Sequence, residues 1–102
     1  MGVLDGKVAV VTGSARGIGR ATAELLAEQG ARVLINDLDG DVAEQAADEI
    51  AGETVAFAGD LTHAGVPDEM IKRVVDEWGQ LDIVVNNAGY TWDGPIYKMI
   101  DD

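Results

Sequence analysis

Cysteine is absent from this chain, which excludes disulfides and thiolate metal ligands. A reducing, cytoplasmic setting fits that absence. Basic residues are scarce: 7 Lys and Arg stand against 19 Asp and Glu, for a formal net charge of −12. That surplus would repel a phosphate backbone, so no nucleic-acid partner is expected. Long apolar runs are missing too. None approaches the roughly 18 residues needed to cross a bilayer, and residues 1–7 lack the basic and apolar segments of a secretory leader. Position 6 is Gly6, not the hydroxyl residue that N-terminal myristoylation needs. No membrane partner is therefore expected. Histidine occurs once, as His63, and a lone histidine is a poor metal site. The run Asp37, Asp39, Asp41 lacks the glycine and terminal glutamate spacing of a calcium loop, so no metal is expected.

What is present suits a globular chain: 47% hydrophobic and 25% charged residues. The 102 residues amount to one domain, or half of a larger one. Acids such as Glu24, Glu28, Glu44, Asp48, Glu69 and Asp76 are spread along helical segments and read as a solvated face.

Apolar periodicity gives the element order. Residues 7–11 form a continuous apolar run, the pattern of a strand buried on both faces in a parallel sheet. Residues 17–29 predict a helix with Ile18, Ala21 and Leu25 along its apolar stripe, closed by a left-handed Gly30. Residues 33–35 predict strand two. Residues 41–51 predict a helix with Val42, Ala46 and Ile50 on one stripe and Gly52 as its stop. Residues 54–58 predict strand three. Pro67 pre-sets the first turn of a third helix, whose apolar face is Met70, Ile71, Val74, Val75 and Trp78, with Gly79 closing it. Residues 81–85 predict strand four. The alternation β-α-β-α-β-α-β implies an α/β fold: a doubly wound parallel sheet, incomplete, in the order 3-2-1-4. Helices one and two should cover one face and helix three much of the other. The order reverses between strands one and four, and a crevice is expected beyond their C-terminal ends.

The glycine turn Thr12-Gly13-Ser14-Ala15-Arg16-Gly17-Ile18-Gly19 points into that crevice. It lies between a buried strand and a helix, with an acid, Asp37, about 20 positions on. The amides of residues 13–19 are expected to embrace a diphosphate at the helix N-terminus. A carboxylate at Asp37 can accept both hydroxyls of an adenine ribose and would repel a 2′-phosphate, which favours NAD over NADP. Asn86-Asn87-Ala88-Gly89, after strand four, faces the same crevice.

Together these motifs resemble the short-chain dehydrogenase/reductase family over about residues 5–95. The glycine turn fits that family's Thr-Gly-x-x-x-Gly-x-Gly signature, Asn86-Asn87-Ala88-Gly89 its second signature, and Asp60-Leu61 its adenine-contacting acid and neighbour. Within the family the chain looks most like bacterial 3-oxoacyl-acyl carrier protein reductases and related alcohol dehydrogenases. The resemblance implies a Rossmann-type domain. It implies that Gly13, Gly17 and Gly19 let the turn approach the pyrophosphate. Ser14, Arg16 and Ile18 would contact the dinucleotide by side chain or backbone. Asp37 would hold the ribose, Asp60 the adenine amino group, and the Leu61 amide a ring nitrogen. Asn87, Ala88 and Gly89 would line the crevice floor, while Asn86 ties strands together. Arg16 pulls the other way on the coenzyme, since a base in this turn can support a 2′-phosphate. Asp37 stands where that phosphate would go, and its repulsion should outweigh a mobile arginine.

The resemblance also implies a Tyr-x-x-x-Lys pair for proton transfer, and none occurs here. Tyr90 precedes Gly94 by four positions, and Tyr97 precedes Asp101. No residue of the chain is assigned a catalytic role. Residues 1–102 are expected to be the N-terminal part of one NAD(P)-binding domain whose catalytic part lies further on. The parent would move hydride between NAD(H) and a carbonyl or alcohol, a 3-oxoacyl thioester among them, and would assemble as a homo-oligomer. The chain alone is expected to be inactive. The alternatives are a stand-alone dinucleotide-binding or regulatory module, or a truncated product without function. Trp78 is expected in the core. Trp92 suits a substrate pocket and a loop anchor equally.

Overall fold

In the computed structural model, which describes residues 2–87, β1 (Val8–Val11) is buried along its whole length. Its side chains alternate between two cores. Ala9 and Val11 face one side of the sheet; Val8 and Val10 face the other. β2 (Arg32–Asp37) and β4 (Ile83–Val85) pair with β1 on either side, and β3 (Thr54–Ala58) pairs with β2. All pairings are parallel, and the order is β3-β2-β1-β4, as the alternation predicted.

α1 (Gly17–Glu28) and α2 (Gly40–Glu49) cover one face through Ala23, Ala27, Ala46 and Ala47, against Val33 and Ile35. α3 (Val66–Trp78) covers the other with Met70 and Val74, both fully buried. Burying side chains of that size contributes ~1.5–3 kcal/mol each. Gly30 and Gly79 adopt the left-handed backbone expected of helix-terminating glycines, with φ of +100° and +77°. Trp78 packs on the α3-side core and donates its indole N–H to Glu53.

The stripe expected on α1 is corrected. Ile18 is 79% exposed and Leu25 57% exposed, and the helix turns Gly19, Ala23 and Ala27 inward instead. Small residues at i, i+4 and i+8 let the helix axis approach the sheet, where Ile and Leu would hold it away. Several boundaries also shift by one or two residues. β2 runs on through Asp37, so that acid ends the strand rather than following it. α2 begins at Gly40, one residue before the expected start, because the Asp39 side chain caps it through the N–H groups of Asp41 and Val42. β4 is only three residues long. Ahead of it, Asp82 completes the ladder with its side chain, accepting the Val8 N–H at 2.9 Å while its own N–H donates to the Val8 carbonyl.

Candidate functional site

The strand order places four chain segments together at the C-terminal ends of the strands: the turn after β1, the end of β2, and the segments leaving β3 and β4. Between them lies a cavity of about 350 Å³, lined among others by Gly13, Arg16, Asp37, Leu38, Gly59 and Asn87.

The turn takes its shape from glycine. Gly13 and Gly17 have φ of +59° and +63°, a region that other residues enter only with strain. Asn36, at the buried end of β2, holds the turn in place. Its Oδ1 accepts the Gly13 N–H at 3.1 Å, its backbone carbonyl accepts the Ser14 N–H at 2.8 Å, and its own N–H donates to Ser14 Oγ at 2.9 Å. Two expectations change. The amides of Gly13 and Ser14 are already spent inside the protein, and the Ser14 side chain is fully buried against Asn36. The open donors are those at the start of α1. The first i−4 bond there runs from Arg20 to Arg16, and Arg16 supplies no side-chain cap. A helix start left uncapped presents N–H groups and the positive end of its dipole.

Asp37 is 7% exposed. Arg16 grips it with a fork: Nε to Oδ2 at 3.1 Å and Nη2 to Oδ1 at 3.0 Å. The Asp39 N–H also donates to Oδ1, at 3.0 Å. The Arg16 hydrogen bond, ahead of the Asp39 and Leu38 N–H groups, holds the Asp37 carboxyl below the usual carboxylate range, against the opposing effect of burial. A lowered native pKa gives stability that is present above the ordinary carboxylate range and lost only as pH falls through the native value. Asp37 is therefore ionised throughout the neutral range.

Asn87 lines the cavity, with its N–H on Thr12 Oγ1 at 2.8 Å and its side-chain amide donating to the Gly13 carbonyl at 3.4 Å. Asn86 accepts the Thr12 hydroxyl at 3.1 Å and so ties β4 to β1, as expected. Asp60 follows Gly59, and its Oδ1 accepts both the amide and the hydroxyl of Thr62, which lowers its pKa. Leu61 is buried on the α3-side core. Ile18 stands exposed in the first turn of α1. Ala88, Gly89 and Trp92 lie outside the described residues. Among the described residues no helix is long and apolar enough to cross a membrane, and no three acidic or histidine side chains are grouped to hold a metal ion.

Two residues escaped the sequence reading. Leu38 is an apolar side chain, 68% exposed, lining the cavity directly after Asp37. Asn36 is the other. Besides its bonds to the turn, its Nδ2 donates to the Phe57 carbonyl at 3.1 Å and the Gly59 carbonyl at 3.4 Å, joining three of the four converging segments. The signal was a single amide ending an apolar strand. Asn36→Ala is expected to leave these buried groups unpaired, at a cost of ~1–3 kcal/mol. Thermal melting would read this as a fall of about 4–8 °C per kcal/mol. Asn36→Asp keeps an acceptor for Gly13 but sets a buried anionic oxygen against the Phe57 and Gly59 carbonyls, and should melt no higher than Asn36→Ala.

Comparison with known proteins adds three findings. The family model described as short chain dehydrogenase matches residues 7–102. The chain is 45% identical over 96 residues to a sorbitol dehydrogenase of Cereibacter sphaeroides, covering 94% of this chain and 38% of that protein. It is 42% identical over 96 residues to a 3-oxoacyl-[acyl-carrier-protein] reductase of Vibrio cholerae, covering 94% and 39%. Among solved structures, a hydroxysteroid dehydrogenase from Escherichia coli superposes with a TM-score of 0.81 at 35% identity, over 92% of this chain and 43% of that one. A 7α-hydroxysteroid dehydrogenase complexed with NADH and 7-oxo glycochenodeoxycholic acid superposes with the same score and identity, over 92% and 40%. The chain thus spans about 40% of the length of the relatives it matches.

Proposed function

The chain belongs to the short-chain dehydrogenase family, and from that membership we propose that residues 1–102 are the coenzyme-binding part of one NAD(P)-binding domain in an oxidoreductase. That enzyme moves hydride between NAD(H) and a small carbonyl or alcohol. One observation carries the reading: a buried, ionised Asp37 at the end of β2 shares a cavity with the turn that leads into the uncapped start of α1. Such a pair suits an adenosine diphosphate, with an acid for the ribose diol and open N–H groups for the phosphates. The bound coenzyme supplies hydride chemistry at its nicotinamide ring.

This chain's own residues bind and orient. Gly13, Gly17 and Gly19 shape the turn, and Arg16 and Ile18 stand at the opening of α1. Asp37 holds the ribose, Leu38 offers an apolar surface to the adenine, and Asp60 with the Leu61 amide reads the adenine edge. Asn87 lines the crevice, and family membership supports a coenzyme contact for Ala88 and Gly89, which lie outside the described residues. Asp37 makes NAD the preferred coenzyme, because a 2′-phosphate would meet its charge in a partly desolvated pocket. Hydride transfer is supported by the dehydrogenases and reductases among the relatives, and a 3-oxoacyl thioester as one substrate by the acyl carrier protein reductase. Family membership likewise supports a homo-oligomer, and the absence of cysteine suits the cytoplasm.

Calorimetric titration with NADH and NADPH tests the proposal. NADH is expected to bind about tenfold or more tightly than NADPH, a modest outcome for one like-charge contact near a protein surface. Equal affinities would overturn the coenzyme preference, and binding of neither would overturn the site.

A further inference from the structure

Resting on the reading of Asp37 as the ribose acid, we propose that Arg16 is a latch on that acid, a guanidinium that fills the carboxylate in the free protein and is displaced when a nucleoside enters. A carboxylate offers about four acceptor positions. Oδ1 already takes Arg16 Nη2 and the Asp39 N–H, both at 3.0 Å, and Oδ2 takes Arg16 Nε at 3.1 Å. The Leu38 N–H also bears on this carboxylate, so at most one position remains, and a ribose diol needs two.

Something must leave, and the structure shows which. The Asp39 N–H belongs to a residue whose side chain caps α2 through Asp41 and Val42, so it is fixed. The Arg16 side chain is 67% exposed, against 8% for Asp37, and among the described residues its guanidinium has no second hydrogen-bond partner. The arginine can swing out while the carboxylate stays.

The exchange has a physical rationale. A carboxylate this buried is costly without donors. Arg16 supplies two parallel N–H bonds when no ligand is present, and the fork also sets the carboxylate plane before the ribose arrives. The same contact competes with the ribose, so the latch lowers nucleoside affinity by what the ion pair is worth. With one exposed partner that is at most about fivefold.

Adenosine is the probe, because it carries the diol but no phosphate that a freed arginine would attract. In the full protein at low salt, Arg16→Ala is expected to bind adenosine about threefold to fivefold more tightly than wild type. In 1 M NaCl the wild type should move toward the variant, since screening weakens the ion pair, while the variant stays unchanged. Arg16→Lys keeps the charge without the fork and should fall between. Asp37→Asn should bind adenosine less well, and Arg16→Ala should add nothing to it. If Arg16→Ala binds adenosine as wild type does, or more weakly, while Asp37→Asn still loses affinity, the latch is wrong and the ribose reading stands. If Asp37→Asn loses nothing, the ribose reading itself fails and the latch with it.

Discussion

Gly19→Ala is expected to remove measurable NADH binding and to lower the melting temperature. Gly19 is buried in the first turn of α1, where a Cβ would lie 2.5 Å from Asn87 Nδ2 and closer still to the Gly13 carbonyl oxygen. The Gly13 carbonyl is backbone and cannot retreat, although the Asn87 side-chain amide can turn aside. Gly13 is held by Asn36 through its N–H, and Asn87 is held by Thr12 through its own. Two effects oppose each other. Alanine favours a helix over glycine by ~1 kcal/mol, whereas overpacking at a rigid contact costs ~1–3 kcal/mol and sometimes more. The clash wins, at about 4–8 °C for each net kcal/mol. Relief requires the start of α1 to move away from the β1 turn, and these segments line the cavity. Gly17→Ala is the control for stability. No atom lies within 4 Å of its added Cβ, so only left-handed strain of ~1 kcal/mol is expected. A Gly19→Ala protein that melts and binds NADH like wild type would show that the turn and α1 do not touch this closely.

The parts of this site readable in the sequence are those that depend on spacing along one strand or helix. Asp37 was found because a fixed interval from the glycine turn brings it to the end of β2, and strand order followed from the alternation of elements. What depends on contact between segments was not readable. The α1 stripe is not readable because apolar size along a sequence does not report closeness of approach, and at this interface Gly19, Ala23 and Ala27 pack where Ile18 and Leu25 cannot. Asn36 falls just past the strand predicted over residues 33–35 and carries no motif, yet its amide joins the β1 turn to β3 across the sheet. The amides of Gly13 and Ser14 seemed available because nothing in a linear reading showed that β2 already consumes them. Asp82 is a further case, a side chain standing in for a ladder bond at the start of a strand that sequence alone made two residues too long.

Asp37→Ala is expected to reverse the coenzyme preference. Hydrogen bonds to a charged acceptor are worth ~1.5–3 kcal/mol, so losing the carboxylate should weaken NADH about tenfold to a hundredfold. NADPH should gain over the same change. Its 2′-phosphate no longer meets an anion, and Arg16, which in the native protein is paired to Asp37 at 3.0 Å, becomes free to pair with it. Asp37→Asn separates charge from contact: one acceptor remains, so part of the NADH affinity survives, but discrimination against NADPH falls as it does with alanine. The pH dependence follows from the same ion pair. Because Arg16 holds the Asp37 carboxyl of the free protein below the usual range, NADH affinity should persist as pH falls through the ordinary carboxylate range, and fade only below it, when Asp37 of the free protein takes up its proton. Removing Arg16 takes away the first cause of that lowering, so the fade should move to higher pH in Arg16→Ala. Parallel titrations of NADH and NADPH across pH in the four proteins measure all of this. An NADH-to-NADPH ratio that stays the same in Asp37→Ala would show that this carboxylate does not choose the coenzyme.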